Sequence, residues 1–160
     1  MSIDLETRVV ADDHQALKLW LRLLSCTTRV ETLVRNRLRG EFATTLPRFD
    51  LLAQLERYPA GLRMNQLSQR LMVTGGNVTR LTDQLETEGL VVREAAPDDR
   101  RAFVVRLTPS GRRAFVAMAA RHEIWIVEMF GALSHKEQRR LYALLATLKG
   151  RLSPSNGRAS

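Results

Sequence analysis

The 160-residue sequence predicts a mainly α-helical protein with one short β-hairpin. Long segments carry apolar residues at three- and four-residue steps, whereas only one adjacent pair of short runs is rich in β-branched and aromatic residues. Apolar residues make up 44% of the chain and charged residues 26%, which is typical of a globular protein and not of a disordered one. The length favours a single domain, predicted over residues 1–160.

The first predicted helix covers residues 12–40. Its apolar residues form two adjacent stripes, a face too wide for a helix that packs on only one side of a small domain. We therefore expect part of this face to pack against a partner. The two stripes contain Leu17, Leu19, Trp20, Leu21, Leu23, Leu24, Cys26, Val30 and Leu33.

The next two predicted helices are short. Thr45 is placed to cap a helix that stops before the break at 59–61, and a second helix covers 64–73. Thr74 is then the expected cap of a helix over 75–88, with Gly89 as the left-handed residue that ends it.

A hairpin and two further helices complete the chain. We expect strands at 90–93 and 102–107, joined by a polar turn over 94–101. Residues 109–150 form helices from about Pro109 to Phe130 and after a capping box at Ser134, and 153–160 form a disordered tail. The order within 45–108 (helix, short helix, turn, helix, β-hairpin) is that of a winged helix-turn-helix domain flanked by N- and C-terminal helices.

The charge favours a polyanionic partner. Lys and Arg number 25 against 17 Asp and Glu, a net charge of +8. Nucleic acid is the first expectation, ahead of an anionic membrane surface. No apolar run is long enough to span a membrane, and the first 13 residues do not resemble an export signal, so we expect a cytoplasmic protein.

Helical phase predicts which side of the helix over 75–88 would face DNA. If Val78, Leu81 and Leu85 point inward, Arg80 points outward, where it can reach a guanine edge or a phosphate. The start of this helix is the expected reader of the major groove. Its predicted DNA-binding residues are Thr74, Gly75, Gly76, Asn77, Thr79 and Arg80.

The turn of the hairpin carries the second predicted DNA contact. Asp99 lies two residues before Arg101, so its carboxylate can brace the arginine guanidinium in an outward position. A narrow minor groove, with its negative potential, attracts such an arginine. Asp99, Arg100 and Arg101 are therefore predicted DNA-binding residues of this wing.

From about Leu46 to Arg113 the chain resembles the MarR family of bacterial transcription regulators. The resemblance is carried by 78–81, by 85–91 and by Asp99-Arg100-Arg101 through Leu107-Thr108. It implies an obligate homodimer formed by the flanking helices 12–40 and 109–150, bound to pseudo-palindromic double-stranded DNA. In the dimer interface we place Leu17, Leu23, Leu141, Leu145 and Leu148.

The sequence departs from the family pattern at two places. Arg63 stands where many members have a Ser or Thr cap, and Gly75-Gly76 replaces a more usual polar pair.

The resemblance further implies a repressor that a small effector releases from DNA. The family's effector pocket lies between the dimerisation helices and the winged domain. Similarity around 118–130 favours an aromatic or anionic effector, such as an aromatic acid or its CoA thioester. The residues that we expect to line the pocket are Trp20, Leu24, Arg29, Phe49, Leu52, His122 and Trp125.

One alternative stays open at this point, a regulator that senses peroxide through Cys26. Some relatives sense peroxide with a cysteine in the first helix, and Cys26 lies on the first helix here, between Arg22 and Arg29. An enzyme is disfavoured because the three histidines are scattered and no phosphate loop or nucleophile motif is present. We expect no catalytic residue, no cofactor and no metal.

Overall fold

The computed structural model describes residues 11–71 and 75–153. In that part of the chain six helices accompany one three-stranded antiparallel sheet of order β1-β3-β2. The mainly α-helical prediction with a small β-wing is confirmed. The elements are α1 (Ala11–Phe42), α2 (Leu46–Arg57), β1 (Leu62–Arg63), α3 (Met64–Leu71), α4 (Gly75–Thr87), β2 (Val91–Ala96), β3 (Asp99–Leu107), α5 (Pro109–Phe130) and α6 (His135–Leu152).

The described residues form two compact units, one ending at His122 and one beginning at Glu123. The first contains the winged helix-turn-helix, and the second contains the end of α5 together with α6. The prediction of one domain over 1–160 therefore stays a prediction.

Local capping residues lie at the predicted starts and ends of several helices. The Thr45 hydroxyl accepts a hydrogen bond from the Arg48 N–H, and Gly89 adopts a φ of 75° after α4. The Ser134 side chain and Glu137 form both halves of a capping box at the start of α6. Each of these ends depends on groups within a few residues of one another, so sequence alone suffices to find it.

The wing is longer than predicted. Glu94–Arg101 was expected to be a turn, but β2 continues to Ala96 and β3 begins at Asp99, leaving only 97–98 as the turn. That prediction is wrong because Glu94 pairs with Val104 inside the sheet, where its side chain forms an ion pair with its diagonal neighbour Arg106. Polar residues on the solvent side of a strand resemble a loop in sequence.

Strand β1 was not predicted, because two residues carry no periodic pattern. Leu62 pairs with Val105 and Arg63 with Val104. The chain approaches β3 closely at Gly61, which has a φ of 93° and where a Cβ atom would lie 2.5 Å from the Arg106 Cγ. Only glycine fits there. This close approach fixes the start of α3 against the hairpin.

The core of the first unit is made largely by leucine and valine side chains from α1 to α4 and from the three strands. These side chains exclude water almost completely, which is the main source of stability for such a unit. The residues with less than 2% exposure include Leu38, Leu51, Leu52, Leu55, Leu67, Val78, Leu85 and Val105.

The N-terminal two thirds of α1 contrast with this core. Among residues 14–42, whose burial the structure describes, only Val34 and Leu38 are buried, whereas Leu17 and Trp20 are each 54% exposed. The apolar face that the sequence predicts is thus present and largely uncovered in this single chain.

The second unit also exposes apolar side chains. None of the residues of α6 is buried, and Leu141, Leu145 and Leu148 are 38%, 37% and 42% exposed. A groove of about 680 Å³ runs between the end of α5 and α6 and is lined largely by apolar residues such as Phe130 and Tyr142.

The last helix extends slightly beyond its predicted end. Ser153, predicted to begin a disordered tail, is the C-cap of α6, and its N–H donates to the Lys149 carbonyl at 3.0 Å. The rest of the predicted tail, 154–160, lies outside the described residues. Within 11–71 and 75–153, no helix is long and apolar enough to cross a membrane.

Candidate nucleic-acid interface

Helix α4 presents its polar side outward, as its helical phase predicts. Val78 and Leu85 are fully buried and Leu81 is 6% exposed, while Asn77, Thr79 and Arg80 are exposed. The Arg80 Nη2 donates to the Asn77 Oδ1 at 3.2 Å, so these two predicted base readers lie side by side. Gly75 and Gly76 form the first turn of α4, and Thr74 lies outside the described residues.

An arginine on the hairpin ties α4 to the sheet. The guanidinium of Arg93 on β2 bonds to Asp83 and Glu86, which lie three residues apart on α4. The Arg93 backbone N–H also donates to the Glu86 Oε2 at 2.9 Å. The position of α4 relative to the wing is therefore fixed by several bonds at once.

Sequence reasoning missed this cluster. Helical phase puts Asp83 on the same outward side of α4 as Arg80, and the Asp83 carboxylate forms an ion pair with Arg93. Two acids at (i, i+3) followed by an arginine on the next strand were the available signal. The arrangement matters because it neutralises carboxylates that would otherwise repel a phosphate.

The tip of the wing contains a large bulge. Ala95 pairs with Phe103, but the next residue, Ala96, pairs with Asp99. Arg100, Arg101 and Ala102 consequently have no opposite residue on β2. Such a bulge pushes the unpaired segment out of the sheet and redirects its side chains.

The predicted brace of Arg101 takes a different form. The Asp99 Oδ1 accepts a hydrogen bond from the backbone N–H of Arg101 at 2.9 Å, not from the guanidinium. This correction follows from the short spacing, because an aspartate two residues upstream reaches the main chain more readily than the end of a long side chain. The arginine head group is therefore left to solvent.

The hairpin separates paired from unpaired arginines. At its base, Arg93 and Arg106 are engaged by carboxylates. At its tip, Arg100 and Arg101 are exposed, and within the described residues their guanidinium groups form no ion pair. A positive charge that its own chain does not neutralise is available to an external anion.

Comparison with known proteins gives the family. A family model described as "MarR family" matches residues 44–102. A solved MarR family transcriptional regulator from Silicibacter pomeroyi superposes with a TM-score of 0.76 at 30% identity, over 90% of this chain and 99% of that one. The chain belongs to the MarR family. Its known relatives are transcriptional regulators and not enzymes, as the sequence predicts.

Three other proteins are similar to this chain over different lengths. The HTH-type transcriptional regulator YkoM of Bacillus subtilis is 36% identical over 83 residues, 52% of this chain and 54% of that one. The chain spans about half the length of the curated relatives it matches: the match covers 54% of YkoM and 46% of the HTH-type transcriptional regulator PrsX of Escherichia coli. Sco3205 of Streptomyces coelicolor, solved in complex with DNA, shares the fold at 22% identity with a TM-score of 0.75, over 94% of this chain and 93% of that one.

The predicted effector residues fall into different environments. In the first unit, Phe49 packs against Phe115 and His122, with ring centroids 5.6 and 5.1 Å apart. Burial lowers the pKa of His122 below its usual value of 6.5. Of the remaining residues, Leu52 and Trp125 are each 1% exposed, whereas Trp20, Leu24 and Arg29 are exposed along α1.

The other special residues lie apart from these. Cys26 is free and exposed on α1. Among the residues described by the structure, no group of three or more histidines, cysteines or carboxylates could hold a metal ion.

Proposed function

We propose that the protein is a cytoplasmic repressor that binds double-stranded DNA as a homodimer on a pseudo-palindromic operator. The observation that carries this proposal is the position of the exposed arginines: Arg80 on α4 and Arg100 and Arg101 at the wing tip. These are the two surfaces that a winged helix-turn-helix protein turns toward the major and minor grooves. Family membership and the net charge of +8 support the same conclusion.

The homodimer is supported by the uncovered apolar faces. Isolated leucines are common on surfaces, but contiguous apolar stripes on long helices mark interaction sites. Leu17 and Leu23 on α1, with Leu141, Leu145 and Leu148 on α6, belong to such stripes. Two copies would present two α4 helices and two wings, with half-sites about one turn of DNA apart.

Arg101→Ala tests the contact of the wing. Affinity for a duplex taken from the protein's own promoter region should fall for many sequences, and the slope of log affinity against log salt should decrease by about one phosphate contact. Arg112→Ala is the matched control. It also removes one positive charge, but the Arg112 guanidinium already forms an ion pair with Glu56 at 2.8 Å. An unchanged salt slope for Arg101→Ala, with the control also unchanged, would contradict the wing contact.

Arg80→Ala tests base reading by α4. If Arg80 contacts a guanine, its loss should cost about 1–3 kcal/mol of binding free energy and relax the preference at that base pair. Binding to a set of operators with single base changes measures both effects. A uniform loss across all operators would instead assign Arg80 to a phosphate.

A small aromatic or anionic effector is proposed to release the protein from DNA. A ligand acts in this way by binding the DNA-incompetent arrangement more tightly. The aromatic packing of Phe49 with His122 and the exposed Trp20, Leu24 and Arg29 supply the apolar and cationic surfaces for such a ligand. A thermal-shift screen of aromatic acids and CoA thioesters, followed by DNA release, tests it. A compound that raises the melting temperature without releasing DNA counts against the release mechanism.

Peroxide sensing is the alternative within the same family. Its support is the exposure of the Cys26 thiol on α1. Operator binding that is lost with mild peroxide and restored by a thiol reductant would favour it, whereas equal behaviour of the wild type and Cys26→Ser would exclude it.

A further inference from the structure

The bulge at the wing tip creates a positioning problem. Arg100–Ala102 have no opposite residues on β2, so the ladder does not hold this segment on that side. An unpaired, exposed segment samples many orientations unless other bonds restrict it. Two arginines that are proposed to enter a narrow groove bind more tightly if their direction is already restricted, because conformational entropy lost on binding reduces the affinity.

Two consecutive aspartates, Asp98 and Asp99, come directly before this segment. Asp99 holds the backbone of Arg101 at 2.9 Å. Asp98, in the turn itself, accepts a hydrogen bond from the Arg63 Nη2 at 2.5 Å, across 35 positions of sequence. The second contact is the one that reaches outside the hairpin tip.

Arg63 is itself firmly anchored. Its backbone pairs with Val104 in the sheet, and its N–H donates to the Gln66 Oε1 at 2.9 Å, at the start of α3. Gly61 brings this segment close to β3. Arg63 therefore connects the tip of the wing to the rigid base of the helix-turn-helix.

We propose that Arg63 and Asp98 are positioning residues for DNA binding: their ion pair holds the bulged wing tip so that Arg100 and Arg101 point toward the minor groove before DNA arrives. The inference rests on the proposed DNA-binding function. Asp98 is 68% exposed and Arg63 36%, so the pair contributes through geometry more than through folding stability.

Electrostatics alone predicts the opposite sign. A carboxylate next to DNA repels phosphates, so removing the charge of Asp98 should tighten binding if the residue has no other role. If the ion pair positions the wing, Asp98→Asn should weaken binding instead. The direction of the change therefore distinguishes the two accounts, whatever its size.

The experiment compares Arg63→Gln, Asp98→Asn and the double variant in the full-length protein, on the same promoter duplex. Each single variant should weaken binding by about twofold to fivefold, the range expected for an exposed ion pair, and the double variant should be no weaker than the singles. Glu56→Gln is the matched control. It removes the carboxylate partner of Arg112 in the same unit, just as Asp98→Asn removes the carboxylate partner of Arg63. This control should leave binding unchanged or slightly tighter.

Two further readouts separate positioning from a direct contact. The salt slope should stay at its wild-type value in Asp98→Asn, because no phosphate contact is lost, whereas Arg101→Ala lowers it. In the free protein, the amides of 99–102 should show lower ¹⁵N heteronuclear NOE values in Asp98→Asn than in the wild type. Unchanged melting temperatures confirm that the variants fold.

These experiments distinguish a failure of the proposed DNA-binding function from a failure of the positioning role. If the wild-type protein does not bind the duplex, the proposed function itself fails. If the wild type binds and Arg101→Ala binds equally well, the wing contact fails, and the positioning role fails with it. If Arg101→Ala weakens binding but Asp98→Asn tightens it, or if the effects of Arg63→Gln and Asp98→Asn are additive, only the positioning role is overturned. Unchanged amide dynamics at the wing tip would overturn it as well.

Discussion

The winged helix-turn-helix and the flanking helices use leucine in opposite ways. In the winged part, Leu55 and Leu67 are 1% and 0% exposed within the chain that carries them. On the flanking helices, Leu17 and Leu144 are 54% and 61% exposed, although their spacing is equally helical. An apolar stripe in the sequence therefore predicts an apolar helix face, but it does not show whether the same chain buries that face.

The two regions also differ in how they hold charge. Around α4 and the hairpin, Arg63, Arg93 and Arg106 each bond to a carboxylate that is distant in sequence. These bonds fix a frame from which Arg80, Arg100 and Arg101 project. The flanking helices contain one comparable pair, in which the Arg121 Nε of α5 donates to the Glu41 Oε2 of α1 at 2.9 Å. What sets these helices apart is their stripes of exposed apolar side chains. The first region exposes charged side chains on a frame of ion pairs, and the second exposes apolar side chains along its helices.

The largest expected effect is at the proposed dimer interface. Leu145→Asp should convert a dimer into monomer or aggregate and abolish operator binding, because a carboxylate cannot be buried there without a partner. Ala143→Asp is the control, since Ala143 lies on the other side of α6 by helical phase. Sedimentation at micromolar concentration measures both. A wild-type protein that sediments as a monomer would remove the contrast between the two regions.

A smaller loss is expected in the core of the winged part. Leu55→Ala should lower the free energy of unfolding by about 2–5 kcal/mol, through lost burial and the cavity that remains. Urea denaturation measures it, and Leu55→Met, which conserves volume, should cost less than about 1.5 kcal/mol. An equally small loss in both variants would mean that Leu55 is not the core residue its 1% exposure indicates.

The smallest effect concerns pH. Burial lowers the pKa of His122 in the folded protein, so the unfolded chain takes up the proton first as pH falls. Stability should therefore decrease below about pH 6.5, the usual pKa of histidine. Melting temperatures at pH 7.5 and 5.5 should differ less in His122→Phe than in the wild type, while the exposed His135→Gln keeps the wild-type difference. A His122→Phe protein with the full pH dependence would assign the effect elsewhere.

Much of the site was accessible from the sequence. The inward positions of α4 and the outward Arg80 follow from a period of 3.6 residues, and the exposed arginines of the wing follow from their place between two strands. The bulge, the ion pair of Arg93 with α4 and the contact of Arg63 with Asp98 did not follow. Each joins residues that are far apart in sequence or depends on strand register, which a local pattern does not encode.

Local sequence patterns were sufficient to predict the family resemblance, the mainly helical architecture, several helix ends and the outward direction of Arg80 on α4. These properties depend on residues within about one or two helical turns of each other. The tertiary structure alone decided which carboxylates neutralise which arginines, how far β2 and β3 extend, and that the stripes of α1 and α6 stay uncovered in one chain. The reason is physical: ion pairing, register and burial are set by distances through space, which become defined only when the chain has folded.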